Sequence, residues 1–416
     1  MTKVLILSKF AAFYLCRNIS FCLKIRYNSS MKKNCVISFV VIMLCSLLFS
    51  CRSLASEKND PGSESAEKIL SELSVQQKVG QLFFIQPDQL DFSVPINIVM
   101  SRSKVPHTHL SSGMADALEK YPAGGFVFFA KNIKNPRQLR RFVRQLKDAS
   151  AIAPVIAVDE EGGRVARLAR NRKMGLENVG PMLEVGKTGD VSNARKAGEY
   201  IGQYLSEYGF TMDFAPDADV NTNPENIVIG DRAFGSDPEL VAEMAGAFLE
   251  GLHSKGIKGC LKHFPGHGDT KDDTHADYVA VVKSWEELKK CELIPFVRNF
   301  DSTDAVMLAH VTLASIEPGA LPSSLSKTVV TKKLREELGY KGIILTDALA
   351  MGAIEKNYGS AKAALLAVEA GNDIILMPQD FAAAFDAVLE AVQTGKISEK
   401  RIDESVLRIL RFKGYR

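Results

Sequence analysis

Cysteine is scarce where it would matter for the fold. Five of the seven (Cys16, Cys22, Cys35, Cys45 and Cys51) fall in the first 51 residues, leaving Cys260 and Cys291 for the rest. Two cysteines make no disulfide framework, and Cys260, inside an apolar run, reads as a buried thiol. Tryptophan occurs once, and no basic stripe is interleaved with aromatic residues, so no nucleic-acid partner is expected. Positions 1–50 lack Asp and Glu altogether but carry seven Lys and Arg. Without them the formal charge of +3 becomes −4, from 45 basic and 49 acidic side chains. No G-x-x-x-x-G-K-[ST] or G-x-G-x-x-G pattern stands where a strand meets a helix, which removes the usual phosphate cradles.

The apolar run at residues 35–50 is 16 residues long, short of the roughly 20 needed to span a bilayer. It follows the basic start Met31-Lys32-Lys33-Asn34 and ends Leu47-Leu48-Phe49-Ser50-Cys51. That pattern reads as an export signal and resembles a bacterial lipoprotein box, with Cys51 the lipidated residue. Ordinary cleavage after Ala55, giving a soluble secreted protein, is the alternative. The expected organisation is then a mis-start region plus signal over 1–55, a polar tether over 56–65, and one catalytic domain over 66–416. The protein is expected to be exported and to touch a membrane only through an N-terminal lipid, facing the periplasm or the cell exterior.

From there short apolar runs alternate with amphipathic stretches. The runs lie at 79–85, 125–129, 155–159, 211–215, 257–263, 305–310, 343–347 and 374–377. Helical periodicity marks 65–73, 136–149, 193–208, 238–255, 284–300, 328–338 and 360–370. Continuous apolar runs indicate strands buried on both faces of a parallel sheet. Eight such units predict an α/β fold, a single (β/α)8 TIM barrel, with a doubly wound open sheet permitted by the same alternation. Asp159, Lys262-His263, His310 and Asp347 each end an apolar run, and in a barrel those ends share one rim. Residues 87–121 break the rhythm and read as a surface excursion rather than a rim insertion.

Chemistry concentrates in Lys262-His263-Phe264-Pro265-Gly266-His267-Gly268 and in Asp273-Thr274-His275 just after it. A carboxylate two residues from a histidine can fix the ring tautomer and leave the other nitrogen for proton transfer. A zinc site from His263, His267, His275 and Asp269 or Asp273 has the wrong spacing and Lys262 beside it, so no metal and no cofactor are expected. Asp347, after four apolar residues, sits at a strand end, although an Asp there could equally open a helix. Gly162-Gly163 allows a sharp turn that brings Asp159 and the arginines behind it toward one cavity. Asp231-Arg232 adds an arginine in a turn-rich loop, or an ordinary surface ion pair.

Five motifs in order, Asp159-Glu160-Glu161-Gly162-Gly163-Arg164-Val165, Gly230-Asp231-Arg232-Ala233-Phe234, Lys262 to Gly268, Asp273-Thr274-His275 and Thr346-Asp347-Ala348-Leu349-Ala350-Met351, resemble glycoside hydrolase family 3. The likeness is to its branch of bacterial β-N-acetylglucosaminidases (NagZ-type) and runs from about Ser74 to Val392. It implies Asp347 as nucleophile, His275 as acid/base oriented by Asp273, and sugar-binding roles for Asp159, Arg167, Arg232, Lys262 and His263. The substrate implied is a GlcNAc-ended muropeptide or chitin-type fragment. Many members carry a further α/β sandwich domain, which is not expected here. Ala348 stands where the branch often has a second Asp. Phosphorolysis with the same residues, and sugar binding without catalysis, are the other readings.

Overall fold

Eight short apolar strands organise the computed structural model, which describes residues 65–96, 107–270, 279–317 and 321–416. They are β1 Phe83–Ile85, β2 Gly125–Phe128, β3 Val155–Val158, β4 Met212–Asp213, β5 Cys260–Phe264, β6 Ala305–Leu308, β7 Ile343–Thr346 and β8 Ile375–Leu376. Every residue in them is buried, as the lack of polar alternation in the sequence requires. All pair in parallel: β8 with β1, β1 with β2, β2 with β3, and β3 with β4. β5 pairs with β6, and β6 with β7. Single bridges, Met212 with Lys258 and Leu345 with Ile374, join the two sets, so the pairings return to the strand where they began. The C-terminal ends of all eight strands therefore face one rim.

Helix Pro136–Ala149 shows how the outer layer is specified. Asn135 accepts a hydrogen bond from the amide of Gln138, and Pro136 supplies a preset φ at the first turn. Leu139, Phe142, Val143 and Leu146, spaced on one face, are the buried residues, each contributing about 2 kcal/mol by burial. Helices Val191–Tyr208 and Pro238–His253 approach so closely that a Cβ on Gly198 would lie 2.2 Å from the carbonyl oxygen of Phe248. Only glycine fits there.

Three sequence expectations are corrected. Residues 79–81 end a helix, Val75–Gln81, because Ser74 and Gln77 form a reciprocal capping box ahead of it, and the strand begins only at Phe83. The helix expected over 284–300 is two short ones, Trp285–Lys289 and Ile294–Arg298, the second opening with Pro295, which cannot continue a helix hydrogen-bond ladder. The described parts of 87–121 are a surface excursion only in part: residues 91–96 lie mostly at the surface, but the turn before them does not. Pro87–Leu90 is a buried 3-10 turn at the end of β1, and Asp88 within it accepts from the Asn132 amide group at 2.6 Å and from the His107 backbone at 3.2 Å. Asp347 does not cap a helix; that place is Met351's. Cys260 and Cys291 are free thiols, Cys260 buried. Cys51, the signal and the tether lie outside the described residues, and no described helix is long and apolar enough to cross a membrane.

Asp373 ties the last elements together. Its carboxylate accepts from Arg335 at 2.8 Å, Arg408 at 2.8 Å, Ser405 at 2.6 Å and the amide of Ile344 in β7 at 3.1 Å. Asp373→Ala leaves two guanidinium groups uncompensated and is expected to cost about 3–5 kcal/mol, read as a large drop in urea midpoint. A change of under 1 kcal/mol would show the knot to be ornamental.

Candidate active site

The rim beyond β3, β4, β5 and β7 gathers charge that would be costly to bury singly. Asp159 is the first residue after β3. Glu160–Gly162 and Val165–Ala166 then form a small antiparallel hairpin, turned by Gly162 (φ 97°) and Gly163 (φ 53°). That is the sharp turn expected of the diglycine. Glu160 points inward and is saturated: it accepts from the amides of Arg167 (2.6 Å), Leu168 (2.9 Å) and Ala169 (2.8 Å) and from the Tyr204 hydroxyl (2.9 Å). The strand after the turn is thereby fixed, and Arg167 returns to within 3.4 Å of Asp159.

Lys262, in β5, is 2% exposed. Its Nζ lies 3.0 Å from Asp159 Oδ1 and 2.5 Å from Glu161 Oε1. Glu161 also receives a two-pronged contact from Arg232, Nε and Nη2 each at 2.8 Å. Burial opposes the charge on Lys262, but Asp159 and Glu161 outweigh it and raise its pKa. Burial likewise works against ionised Asp159, yet Lys262 and Arg167 hold its carboxyl below the usual range; Arg232 and Lys262 do the same for Glu161.

Arg232 is the hinge to a second group. Its Nη2 stands 3.3 Å from His263 Nε2, and its Nε 3.4 Å from Asp217 Oδ2. A guanidinium can only donate, so Nε2 of His263 accepts and its Nδ1–H donates to Asp219 Oδ2 at 2.7 Å. This is a neutral imidazole in a defined tautomer, and burial first, then Arg232, pushes its pKa down to about 4. Asp219 also accepts from the amide of His267 at 2.6 Å. Asp217 is fully buried; burial and the neighbouring Asp219 raise its pKa to about 7.

Asp347 follows β7 directly. Its amide donates to Leu308 O (2.9 Å), and its Oδ1 accepts from the Ala348 amide (2.7 Å). Leu349 and Ala350 hang from carbonyls of β8 and Met377, and His310 Nε2 donates to Ala348 O at 3.0 Å while its Nδ1 meets the Ser324 hydroxyl. His310 thus fixes the loop that carries Asp347.

Of the expected residues, Asp159, Arg167, Arg232, Lys262 and His263 form one contact network, and Asp347 stands on the same rim. Asp273 and His275 lie outside the described residues. The two readings of Asp231-Arg232 divide between its residues: Asp231 pairs with exposed Arg164 at 2.8 Å, while Arg232 turns inward to Glu161. Asp269 is engaged with Thr222 and Lys283. Glu161, Asp217 and Asp219 were not singled out as site residues in the sequence; the signals available were Glu161 inside the first motif and the Asp217-Ala218-Asp219 alternation after an apolar run. Ligand atoms of Asp217, Asp219 and His263 come within 4.8 Å of one another, a spacing a cation could bridge. However, Arg232 already supplies positive charge to Asp217 and occupies the lone pair of His263, so the donor set does not fit a resident metal.

Asp217 generates a pH test. Its folded pKa lies above the unfolded value near 4, so its contribution is complete below about pH 4 and is lost as pH rises through 7. Asp217→Asn removes that loss. The Tm of the variant relative to wild type should climb between about pH 4 and pH 7 and level off above; parallel Tm curves would contradict the buried-acid reading.

The "Glycosyl hydrolase family 3 N terminal domain" description matches residues 74–412. "Beta-hexosaminidase" of Pseudomonas aeruginosa is 34% identical over 314 residues, covering 74% of this chain and 89% of the relative. "Beta-hexosaminidase A" of Pseudoalteromonas piscicida is 31% identical over 336 residues, 74% of this chain. A solved family 3 β-N-acetylglucosaminidase from Paenibacillus sp. superposes with a TM-score of 0.75 at 38% identity, over 82% of this chain. This chain spans 56% of the Pseudoalteromonas protein and 62% of the Paenibacillus chain. On the length of the match and these identities, the chain belongs to glycosyl hydrolase family 3.

Proposed function

We propose that the chain is a retaining exo-β-N-acetylglucosaminidase on a single (β/α)8 barrel, removing terminal GlcNAc from muropeptide or chitin-type fragments. The observation that carries this reading is the convergence of Asp159, Lys262, Arg167 and Arg232 on the rim where Asp347 ends β7. Fixed charges of both signs suit hydroxyl recognition: carboxylate oxygens accept from sugar hydroxyls, and guanidinium or ammonium groups donate to them. The names of the relatives point to the same sugar.

In this mechanism Asp347 attacks the anomeric carbon as the glycosidic C–O bond breaks, and His275 gives its proton to the leaving oxygen. A covalent glycosyl-Asp347 ester results. His275, now neutral, takes a proton from water; that water attacks the same carbon and releases Asp347 as a carboxylate. Two displacements keep the β configuration. The role of His275, with Asp273 orienting it, rests on the Asp273-Thr274-His275 motif. His310 and the Leu308 carbonyl hold the Asp347 loop still, so little reorganisation accompanies attack. Export as a lipoprotein anchored at Cys51 would put the enzyme where wall fragments are.

The test is turnover of p-nitrophenyl β-N-acetylglucosaminide against the β-glucoside, with and without phosphate. Preference for the N-acetyl substrate is expected, with a loss of about a thousandfold or more in Asp347→Asn. His275→Ala should lose less on this activated leaving group than on a natural disaccharide, because p-nitrophenolate departs without a proton. Turnover only with phosphate would establish phosphorolysis, and none in folded protein would leave a sugar binder.

A further inference from the structure

Beside the candidate active site, on the loops after β2 and β3, lies a concentration of positive charge that the glycosidase reading does not use. Residues 130–147 contain seven Lys and Arg and no Asp or Glu; residues 163–173 contain five and none. Some are engaged elsewhere, Arg164 with Asp231, Arg167 with Asp159 and Lys131 with buried Asp88 at 3.5 Å. Lys134, Arg137, Arg141 and Lys173 are exposed and have no carboxylate partner among the described residues.

These side chains line a groove. Two concavities of about 530 and 460 Å3 adjoin and share Thr108 and Lys134. Arg137, Arg141 and His109 border one, and Lys131 and Lys173 the other, with no acidic residue in either lining among the described residues. Asn171 on the groove wall donates to Ile133 O at 2.8 Å, clamping one loop to the other, and the floor is further fixed by Asn132 on Asp88. Helix Pro136–Ala149 begins at the groove, with no acidic residue in its first turn but Lys134 and Arg137 around it. Cations at a helix N-terminus oppose the macrodipole, and an anion seated there would relieve both terms.

We propose that this groove binds a linear polyanion carrying repeated phosphate groups, held alongside the glycosidase site. Its length and the spread of its cations over two joined hollows fit a chain rather than a single small anion. Among the described residues no Phe, Tyr or Trp lines it, so they offer neither stacked sugars nor stacked bases a platform. Its concavity suits a chain better than a flat bilayer, which would meet the rim cations and miss Lys131. Binding would use charge alone, and would therefore weaken steeply with salt.

The probe is short-chain inorganic polyphosphate, with affinity for the full chain measured by calorimetry at several salt concentrations. We expect log K to fall against log salt with a slope of about −3, the value for roughly four neutralised phosphates. The triple variant Lys134→Glu, Arg137→Glu, Arg141→Glu should lose about 30-fold or more in affinity, while chromogenic glycosidase turnover and Tm stay as in wild type. If that variant fails to fold, Lys134→Gln with Arg141→Gln should still lower affinity and salt slope together. Absence of binding, an unchanged affinity in folded variants, or capture by phosphatidylglycerol vesicles that polyphosphate does not compete away would each overturn the proposal. None of these outcomes touches the glycosidase assay, so the two readings fail separately.

Discussion

A lysine with almost no water around it sets the terms for the rest of the site. Lys262 can stay charged only because Asp159 and Glu161 flank it, and those carboxylates can stay ionised only because Lys262, Arg167 and Arg232 answer them. In a low-dielectric interior no member of such a set is dispensable, since removing one leaves a naked charge. The arrangement then propagates. Arg232 has a filled coordination on the Glu161 side and spends what remains on His263 and Asp217, which selects one imidazole tautomer and partly offsets the burial and the Asp219 charge that raise the pKa of Asp217. The site is rigid for electrostatic reasons before any packing is considered.

The α/β alternation and the polar strand ends were legible because both are local: short apolar runs, four of them ending in Asp159, Lys262-His263, His310 or Asp347, survive in a one-dimensional string. What failed was also physical. Residues 79–81 run on through Leu82 into the strand they precede, and only the Ser74–Gln77 capping box reveals a helix. The region 284–300 keeps a helical period across a break that Pro295 permits. Glu161, Asp217 and Asp219 carry only weak local marks, a place inside the first motif and an Asp-Ala-Asp alternation. Their meaning comes from Arg232, 71 residues after Glu161, and from His263, 44 after Asp219. Long-range pairing of buried charge is the information a single sequence hides best.

Whole-chain charge is a poor guide for the same reason. A near-neutral total conceals an N-terminal segment with no acid and two further stretches, 130–147 and 163–173, with twelve cations between them and no acid either. The same arginine-rich stretch that supplies Arg167 to the Asp159 network supplies the groove beside it. Composition averages over these neighbours, while the fold separates them: one arginine turns inward to a carboxylate, and others stay in water.

Glu160 has a consequence for anyone who would rebuild this rim. Three amides of its own loop and a phenol from the outer helix converge on one carboxylate, so the loop's shape is stored partly in a residue 44 positions away. Transplanting residues 159–169 onto a related scaffold without Tyr204 would leave that carboxylate one donor short in a dry interior. The portable unit is the loop together with its distant phenol, and library designs that vary one while holding the other fixed sample mostly misassembled rims.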